Sequence, residues 1–313
     1  MAAPEHTTTA EGLSTPMRGI YAPIPTPFEV GEVSLKHLRA NLERWGRTRL
    51  AGLVVLGTNG EACLLDEDEK VETIAFVCEH APVHLTVMAG TGQESTRATI
   101  RLTRKAAQMG AKAALVLNPH YYKGSMTEEA LRRHYWEVAD ASPIPVLLYN
   151  MPRNTGLNMS AALAVRLAEH PNIVGIKDSS GDVVQMAQVV AGAKAGFTVF
   201  AGSGSFLLPA LSVGAVGGTL AVANVIADTC AEIQSLFEAG RIAEAADLQR
   251  RIIPLNAAVT ARWGVAGLKA AMDLSGYWGG LPRPPLLPVG DEERKEIARL
   301  LQPFLLLTDG REG

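Results

Sequence analysis

The feature that most restricts the fold of this chain is a regular alternation of strand-like and helix-like segments between residues 19 and 240. Short apolar runs rich in β-branched residues are each followed by a turn and then by a longer amphipathic segment. The pattern predicts strands at residues 19–23, 53–56, 84–89, 113–117, 145–149, 173–177, 198–201 and 217–221. Strands that alternate with helices in this way form parallel sheets whose faces are covered by the helices.

Eight strand–helix units predict an α/β fold of the (β/α)8 TIM-barrel type over residues 17–240. A doubly wound open sheet is the alternative, although five to seven strands would suffice for it. Residues 241–313 read as helix only, with helices predicted at 242–259, 265–274 and 291–301, and we interpret them as a small helical appendage packed on the barrel. Residues 1–16 are rich in alanine and threonine and are expected to form a disordered tail.

Composition excludes several classes of function. A net charge of -3 and a pI near 6.2 give no basic surface for nucleic acid or an anionic membrane. No apolar run is long enough to span a bilayer. The three cysteines, Cys63, Cys78 and Cys230, are widely spaced and are expected to be reduced, as is typical of a cytoplasmic protein. Neither they nor the histidines show the spacing of metal ligands, so no metal site is predicted.

The active site of such a barrel lies at the C-terminal ends of the strands. This rule selects Thr58, Asn59, Tyr121, Tyr149, Lys177, Ser179, Gly202 and Thr219 as candidates. Lys177 ends the buried strand at 173–177, where loss of solvation can lower the pKa of an amine and make it nucleophilic. A lysine that simply reaches for water is the commoner alternative. Tyr149 ends the preceding strand, so its phenol and the amine are expected to face the same volume.

Two glycine-containing turns are candidate anion sites. The turn GTNGE at residues 57–61 offers backbone N–H groups to either a phosphate or a carboxylate. The run GSGS at residues 202–205 is either a tight turn or a phosphate site near the last two strands. Paired acids of the kind that metal-dependent or glycoside-cleaving barrels require are not found at the strand ends.

Three sequence runs together resemble the dihydrodipicolinate synthase/N-acetylneuraminate lyase family. They are GTNGE at 57–61, YNMPRNTG at 149–156 and GIKD at 175–178, in the family's order and spacing. The resemblance extends over about residues 17–300. It implies a TIM barrel with a helical C-terminal part, a homotetramer built as a dimer of dimers, and a pyruvyl or other small 2-oxo acid as substrate. No metal or organic cofactor is implied.

The resemblance also implies residue roles. Lys177 would form a Schiff base with the keto group, Tyr149 would shuttle protons, and Thr58 would relay them with help from a tyrosine of a neighbouring subunit. Alignment from Pro119 makes that tyrosine Tyr121 and leaves Tyr122 open. Substrate-binding residues would be Asn59 with the turn amides, Thr219, Ser179, Asn154 and Gly202.

Within the family the chain looks most like the 4-hydroxy-2-oxoglutarate aldolases, on runs such as PHYYKG at 119–124 and KDSSGD at 177–182. We therefore expect cleavage of 4-hydroxy-2-oxoglutarate to pyruvate and glyoxylate. The alternative is condensation of pyruvate with aspartate semialdehyde by a dihydrodipicolinate synthase. Synthases typically have two threonines where this chain has Thr58 and Asn59, and an arginine at the position of Asn154. A remoter alternative is a non-catalytic barrel that binds a keto acid.

Overall fold

The structure is a computed structural model in which residues 17–309 are described, so the predicted tail at residues 1–16 lies outside the described residues. Eight parallel strands close into a barrel, in which β1 pairs with both β2 and β8. The strands are β1 Gly19–Pro23, β2 Gly52–Val55, β3 Thr86–Gly90, β4 Ala113–Leu117, β5 Val146–Asn150, β6 Ile173–Asp178, β7 Thr198–Ala201 and β8 Gly217–Thr219. The predicted (β/α)8 barrel is confirmed, and the open sheet is excluded because β1 and β8 are hydrogen-bonded neighbours.

A helix follows each strand. These helices are α1 Leu35–Trp45, α2 Glu67–His80, α3 Thr96–Gln108, α4 Glu128–Ala141, α5 Ala161–Leu167, α6 Val183–Gly192, α7 Leu207–Ser212 and α8 Ala223–Glu238. The start of α2 illustrates how the sequence sets these boundaries. The Asp66 side chain accepts a hydrogen bond from the Glu69 amide and the Glu69 side chain accepts one from the Asp66 amide, which together form a capping box.

The interior of the barrel is filled by alternate residues of the strands, because side chains along a strand point alternately to its two faces. Tyr21, Val54, Met88, Leu147 and Phe200 form one buried cluster there, separate from the larger core under the helices. On β5 the inward row continues from Leu147 to Tyr149, which belongs to the same cluster. The barrel core therefore forms the floor beneath the residues at the strand ends.

The C-terminal part contains three long helices, α9 Ile242–Ala257, α10 Gly264–Leu274 and α11 Asp291–Asp309, with a single π-helical stretch at Ala258–Arg262. They lie where the sequence predicts helices. Leu255, Leu268, Ile297 and Leu301 are completely buried and belong to the same core cluster as the helices around the barrel. The C-terminal helices thus share the larger core that lies under the helices around the barrel, while the division of the chain at residue 240 stays a prediction.

Two local features differ from the sequence prediction. A small hairpin, Phe28–Glu29 paired with Glu32–Val33, lies between β1 and α1. In α8 the backbone is kinked at Ile226, where φ is -134°. No helix within residues 17–309 is both long and apolar enough to cross a bilayer.

Candidate active site

Tyr149 and Lys177 lie side by side at the ends of β5 and β6. The register pairs Tyr149 with Lys177, and both residues are only 4% exposed. The Lys177 Nζ atom lies 4.1 Å from the centre of the Tyr149 ring. The Lys177 amine and the Tyr149 phenol are therefore adjacent, as predicted. Their proximity follows from the pairing of β5 with β6 and from both side chains pointing into the barrel.

Thr58 completes a short chain of polar groups. Its hydroxyl is 3.0 Å from the Tyr149 hydroxyl, and the two are hydrogen-bonded. Thr58 begins a short 3-10 turn, Thr58–Gly60. Leu56, two residues before it, has a left-handed φ of 57°. Such a conformation is costly for leucine and is characteristic of functional loops. The turn therefore directs an exposed hydroxyl towards a buried phenol.

Asn59 and the turn amides are partly used by the protein itself. The Asn59 Nδ2 atom donates to the Pro23 carbonyl at 3.3 Å. The amides of Gly60 and Glu61 donate within the turn, to Gly57 and Thr58. This leaves the amides of Thr58 and Asn59 as the candidates for binding a substrate carboxylate, a narrower set than the sequence suggested.

A cavity of about 570 Å³ opens above this group, a size that is typical of sites for small molecules. Its polar lining includes Thr58, Lys70, Glu94, His120, Tyr149 and Asn154. Lys177 is not among the lining residues; its Nζ atom lies beside the Tyr149 ring. The cavity thus places a ligand next to the phenol and the threonine hydroxyl, with the amine adjacent.

A buried amide network supports the two strand ends from the outer side of the barrel. The Asp178 carboxylate, 1% exposed, accepts hydrogen bonds from the Ser180 amide at 2.7 Å, from Gln185 Nε2 at 2.8 Å and from Asn150 Nδ2 at 3.3 Å. Asn158 joins Asn150 to Gln185. Asp178 points away from Lys177, as strand alternation predicts, but Asn158 and Gln185 were not recognised from the sequence, because nothing local marks their partners.

Ser179, Gly202 and Thr219 lie around the ends of β6, β7 and β8, outside the cavity lining. The Gly202 amide donates to the Asp178 carbonyl at 2.7 Å, and a Cβ atom at this position would lie 1.9 Å from the Ser179 hydroxyl. Residue 202 must therefore be glycine for β6 and β7 to approach. The buried Ser179 hydroxyl has no hydrogen-bond partner among the described residues. Thr219 is 2% exposed and lies opposite Tyr21 of β1.

The two tyrosines of the loop after β4 are not brought to the site within one chain. Tyr121 is 76% and Tyr122 is 70% exposed, with their rings edge to face at 5.1 Å. The Tyr121 amide donates to Glu94 at 2.9 Å, which fixes the loop but leaves both rings in solvent. The sequence interpretation that one of them acts in a neighbouring subunit stays a prediction.

In the turn after β5, the neighbouring residues Arg153 and Asn154 have different surroundings. Asn154 is one of the cavity-lining residues of the single helical turn Pro152–Thr155. The Arg153 guanidinium instead donates to the Ala261 carbonyl at 2.7 Å, in the C-terminal helical region. Of the described residues that line the cavity, none is an arginine. Within residues 17–309 no three acidic, histidine or cysteine side chains are grouped as metal ligands would be.

Comparison with known proteins gives consistent matches. The model of the dihydrodipicolinate synthetase family matches residues 16–303. The 4-hydroxy-tetrahydrodipicolinate synthase of Methanothrix thermoacetophila is 36% identical over 295 residues, which cover 93% of this chain and 98% of the relative. The synthase of an Exiguobacterium strain is 33% identical over 287 residues, or 91% and 97% of the two chains.

Solved structures give the same result. The 4-hydroxy-tetrahydrodipicolinate synthase of Methylacidiphilum fumariolicum superimposes with a TM-score of 0.88 at 30% identity, over 94% of this chain and 99% of the other. YagE, a prophage protein of Escherichia coli solved in complex with pyruvate, gives a TM-score of 0.86 at 29% identity, over 92% and 98%. These relatives do not show the closer resemblance to hydroxyoxoglutarate aldolases that the sequence runs suggested.

Proposed function

Because the chain belongs to the dihydrodipicolinate synthetase family, we propose that Lys177 is the residue on which it carries out the lysine Schiff-base chemistry of that family with pyruvate. The chain is an enzyme of the carbon–carbon lyase and synthase class, and the family's chemistry needs no added cofactor. The observation that carries the assignment to Lys177 is its position against Tyr149, whose hydroxyl is hydrogen-bonded to Thr58.

The geometry supports a simple sequence of steps. The neutral Lys177 amine attacks the C2 carbonyl of pyruvate, and water leaves to give an iminium ion. Tyr149, after its own proton has passed through Thr58 to solvent, accepts a proton from C3 as the phenolate, and the resulting enamine attacks an aldehyde carbon, whose oxygen takes up a proton. Hydrolysis or cyclisation then frees the lysine. The same steps in reverse cleave a 4-hydroxy-2-oxo acid between C3 and C4, with the iminium accepting the electron pair.

For the second substrate, the first candidate is aspartate semialdehyde, which would make the chain a 4-hydroxy-tetrahydrodipicolinate synthase. The relatives above that carry an activity in their names carry this one, at 30% to 36% identity over nearly their full length. The relatives therefore support the synthase, which was the alternative from the sequence, better than the 4-hydroxy-2-oxoglutarate aldolase, which was the main expectation.

The second candidate is cleavage of 4-hydroxy-2-oxoglutarate, and a specific observation favours it. At the turn after β5 the cavity is lined by Asn154, while Arg153 is bound to the Ala261 carbonyl. An asparagine cannot give the second carboxylate the bidentate ionic contact that an arginine gives. The replacement therefore weakens the case for aspartate semialdehyde without removing the pyruvate chemistry.

One preparation assayed for both reactions separates the candidates. The synthase reading predicts a higher kcat/KM for aspartate semialdehyde with pyruvate than for 4-hydroxy-2-oxoglutarate cleavage. The reverse preference would establish the aldolase. A preparation inactive in both directions that still binds pyruvate would instead support the non-catalytic barrel.

Assembly and location are proposed on the same basis. The exposed rings of Tyr121 and Tyr122 are available to a second copy of the chain, which supports the homotetramer expected from the family resemblance. The cysteines Cys63, Cys78 and Cys230 are free thiols, which supports a reducing, cytoplasmic environment.

A further inference from the structure

A completely buried ion pair lies next to the turn Thr58–Gly60. The Lys269 Nζ atom of α10 is 2.6 Å from the Glu61 carboxylate, and the two side chains are 0% and 1% exposed. Glu61 is the residue that follows the turn Thr58–Gly60, and its φ of 54° is left-handed. Charges are buried this completely only when they are paired, since an isolated one would be strongly unfavourable.

The pair belongs to a larger contact between the turn and the C-terminal region. The second Glu61 carboxylate oxygen accepts from the Arg283 amide at 2.8 Å, and Lys269 donates to the Leu281 carbonyl at 3.0 Å. The Arg283 guanidinium donates to both oxygens of Glu69 on α2 at 2.6 Å and to the Leu64 carbonyl at 3.1 Å. These contacts tie the residues after the turn to α2 and to the C-terminal region.

The surroundings of Lys269 act on its charge in both directions. Burial lowers the pKa of Lys269, and the adjacent Glu61 carboxylate offsets part of that effect. The ammonium also lies 4.3 Å from the centre of the Phe28 ring, whose face favours a cation. The Lys269 side chain therefore has charged, carbonyl and aromatic partners on several sides and has little freedom to move.

We infer that Lys269 and Glu61 are positioning residues for catalysis, which fix the turn so that the Thr58 hydroxyl meets Tyr149. Glu61 is bonded into the turn itself, because its amide donates to the Thr58 carbonyl at 3.2 Å. A displacement of Glu61 is thus transmitted to Thr58, whose hydroxyl must stay near 3.0 Å from the phenol to relay protons. Misplacement by about 1 Å is enough to cost roughly 10²-fold in rate.

The inference rests on the proposed relay through Thr58 and Tyr149, so the test measures the relay by itself. Exchange of the methyl protons of pyruvate in deuterated water, followed by NMR, reports proton removal from C3 and needs no second substrate. Borohydride trapping with pyruvate reports Schiff-base formation at Lys177. The KM for pyruvate and the melting temperature are measured on the same samples.

The first variant is Lys269→Met. The second combines Lys269→Met with Glu61→Gln, so that neither charge of the pair remains. The control is Arg262→Met, which breaks the exposed ion pair between Arg262 and Glu296 in the same C-terminal region. We expect borohydride to trap pyruvate on Lys177 in Lys269→Met as it does in the wild type. The methyl protons of pyruvate should exchange at least about 10-fold more slowly, with little change in the KM for pyruvate. The control should exchange within about 2-fold of the wild type, as surface pairs contribute little.

The double variant separates positioning from stability. Replacing a buried ion pair by neutral groups often restores stability, so a melting temperature near that of the wild type with slow exchange supports the inference. Exchange at the wild-type rate in either Lys269→Met or the double variant overturns it. A wild-type protein that neither traps nor exchanges pyruvate overturns the proposed function itself, which is a distinguishable result.

Discussion

The hydrogen bond between Tyr149 and Thr58 connects a buried phenol to an exposed hydroxyl. In the proposed mechanism, a proton leaving the substrate travels from Tyr149 to Thr58 and on to the cavity. The Lys177 Nζ atom lies 4.1 Å from the centre of the Tyr149 ring, so the amine is close to this phenol.

Replacing Tyr149 by phenylalanine removes this carrier and keeps the ring against Lys177. We expect the methyl-proton exchange of pyruvate to fall by about 10²- to 10⁴-fold, the usual contribution of one acid–base group. Borohydride trapping at Lys177 should persist at longer incubation. Thr58→Val should show a smaller loss, and Thr48→Val, whose hydroxyl donates to the Trp45 carbonyl away from the site, should show none. Exchange at the wild-type rate in Tyr149→Phe would contradict the relay.

Substitution of Asn154 tests which second substrate the cavity accepts. Asn154→Arg introduces a guanidinium at the cavity wall, and we expect kcat/KM for aspartate semialdehyde to rise by about 10-fold or more, the worth of one charge-assisted hydrogen bond. Pyruvate proton exchange should not change. The matched control is Arg153→Met, which removes the arginine that points to Ala261. An unchanged kcat/KM in Asn154→Arg would show that the second carboxylate binds elsewhere.

Helices and strands were largely predictable because their starts are encoded locally. Ser95, Thr127, Ser160 and Asp182 each stand directly before a helix, and each side chain accepts a hydrogen bond from the amide three residues on. The hairpin after β1 was missed because its strands have two residues each, too few for a period of two to be visible.

The supporting contacts of the site were not predictable. Tyr149 and Lys177 could be brought together because barrel strands pair in chain order. By contrast, Glu61 and Lys269 are separated by more than two hundred residues, and neither position carries a local signal of the other. Asn158, which follows β5, and Gln185 of α6 likewise carry no local signal of each other, and their side chains meet because β5 and β6 are paired.

The packing of α3 on α4 predicts a dependence of stability on pH. His134 of α4 is 6% exposed and is bonded to the Thr96 hydroxyl at 2.9 Å, and burial lowers its pKa from 6.5 to about 4, with Glu94 opposing the shift. Between those values the unfolded chain binds a proton that the folded chain does not. Stability therefore falls as pH decreases from 6.5 towards 4, by at most about 3 kcal/mol.

Chemical unfolding at a series of pH values measures this effect. His134→Gln should flatten the slope of unfolding free energy between pH 6.5 and 4, because the titrating ring is gone. His84→Gln removes an exposed histidine and should leave the slope unchanged. An equal slope in His134→Gln and the wild type would show that His134 does not set the acid sensitivity.

The proposed assembly would supply a tyrosine ring that a single chain does not bring to its own site. Tyr121 and Tyr122 project from the loop after β4 and remain in solvent, although the family resemblance gives one of them a role in proton transfer. If a second copy provides the ring, two inactive variants should complement each other. A mixed oligomer of Tyr121→Phe and Lys177→Met would contain sites with an intact lysine from one subunit and an intact tyrosine from the other.

We expect this mixture, unfolded and refolded together, to regain pyruvate proton exchange that neither variant shows alone. The control mixes Lys177→Met with Tyr149→Phe, both in the same site of one chain, and should regain none. Recovery with Tyr122→Phe in place of Tyr121→Phe would assign the role to Tyr122. No recovery with either tyrosine, in a protein that sediments as an oligomer, would show that the site is complete within one chain.

The central claim is that Lys177 forms a Schiff base with pyruvate. Incubation with pyruvate and borohydride, followed by digestion and mass spectrometry, tests it on the wild-type protein without knowledge of the second substrate. We predict one pyruvyl adduct per chain, on the peptide that contains Lys177, and no adduct in Lys177→Met. An unmodified Lys177 peptide, or an adduct on another lysine such as Lys70 at the cavity wall, would contradict the account.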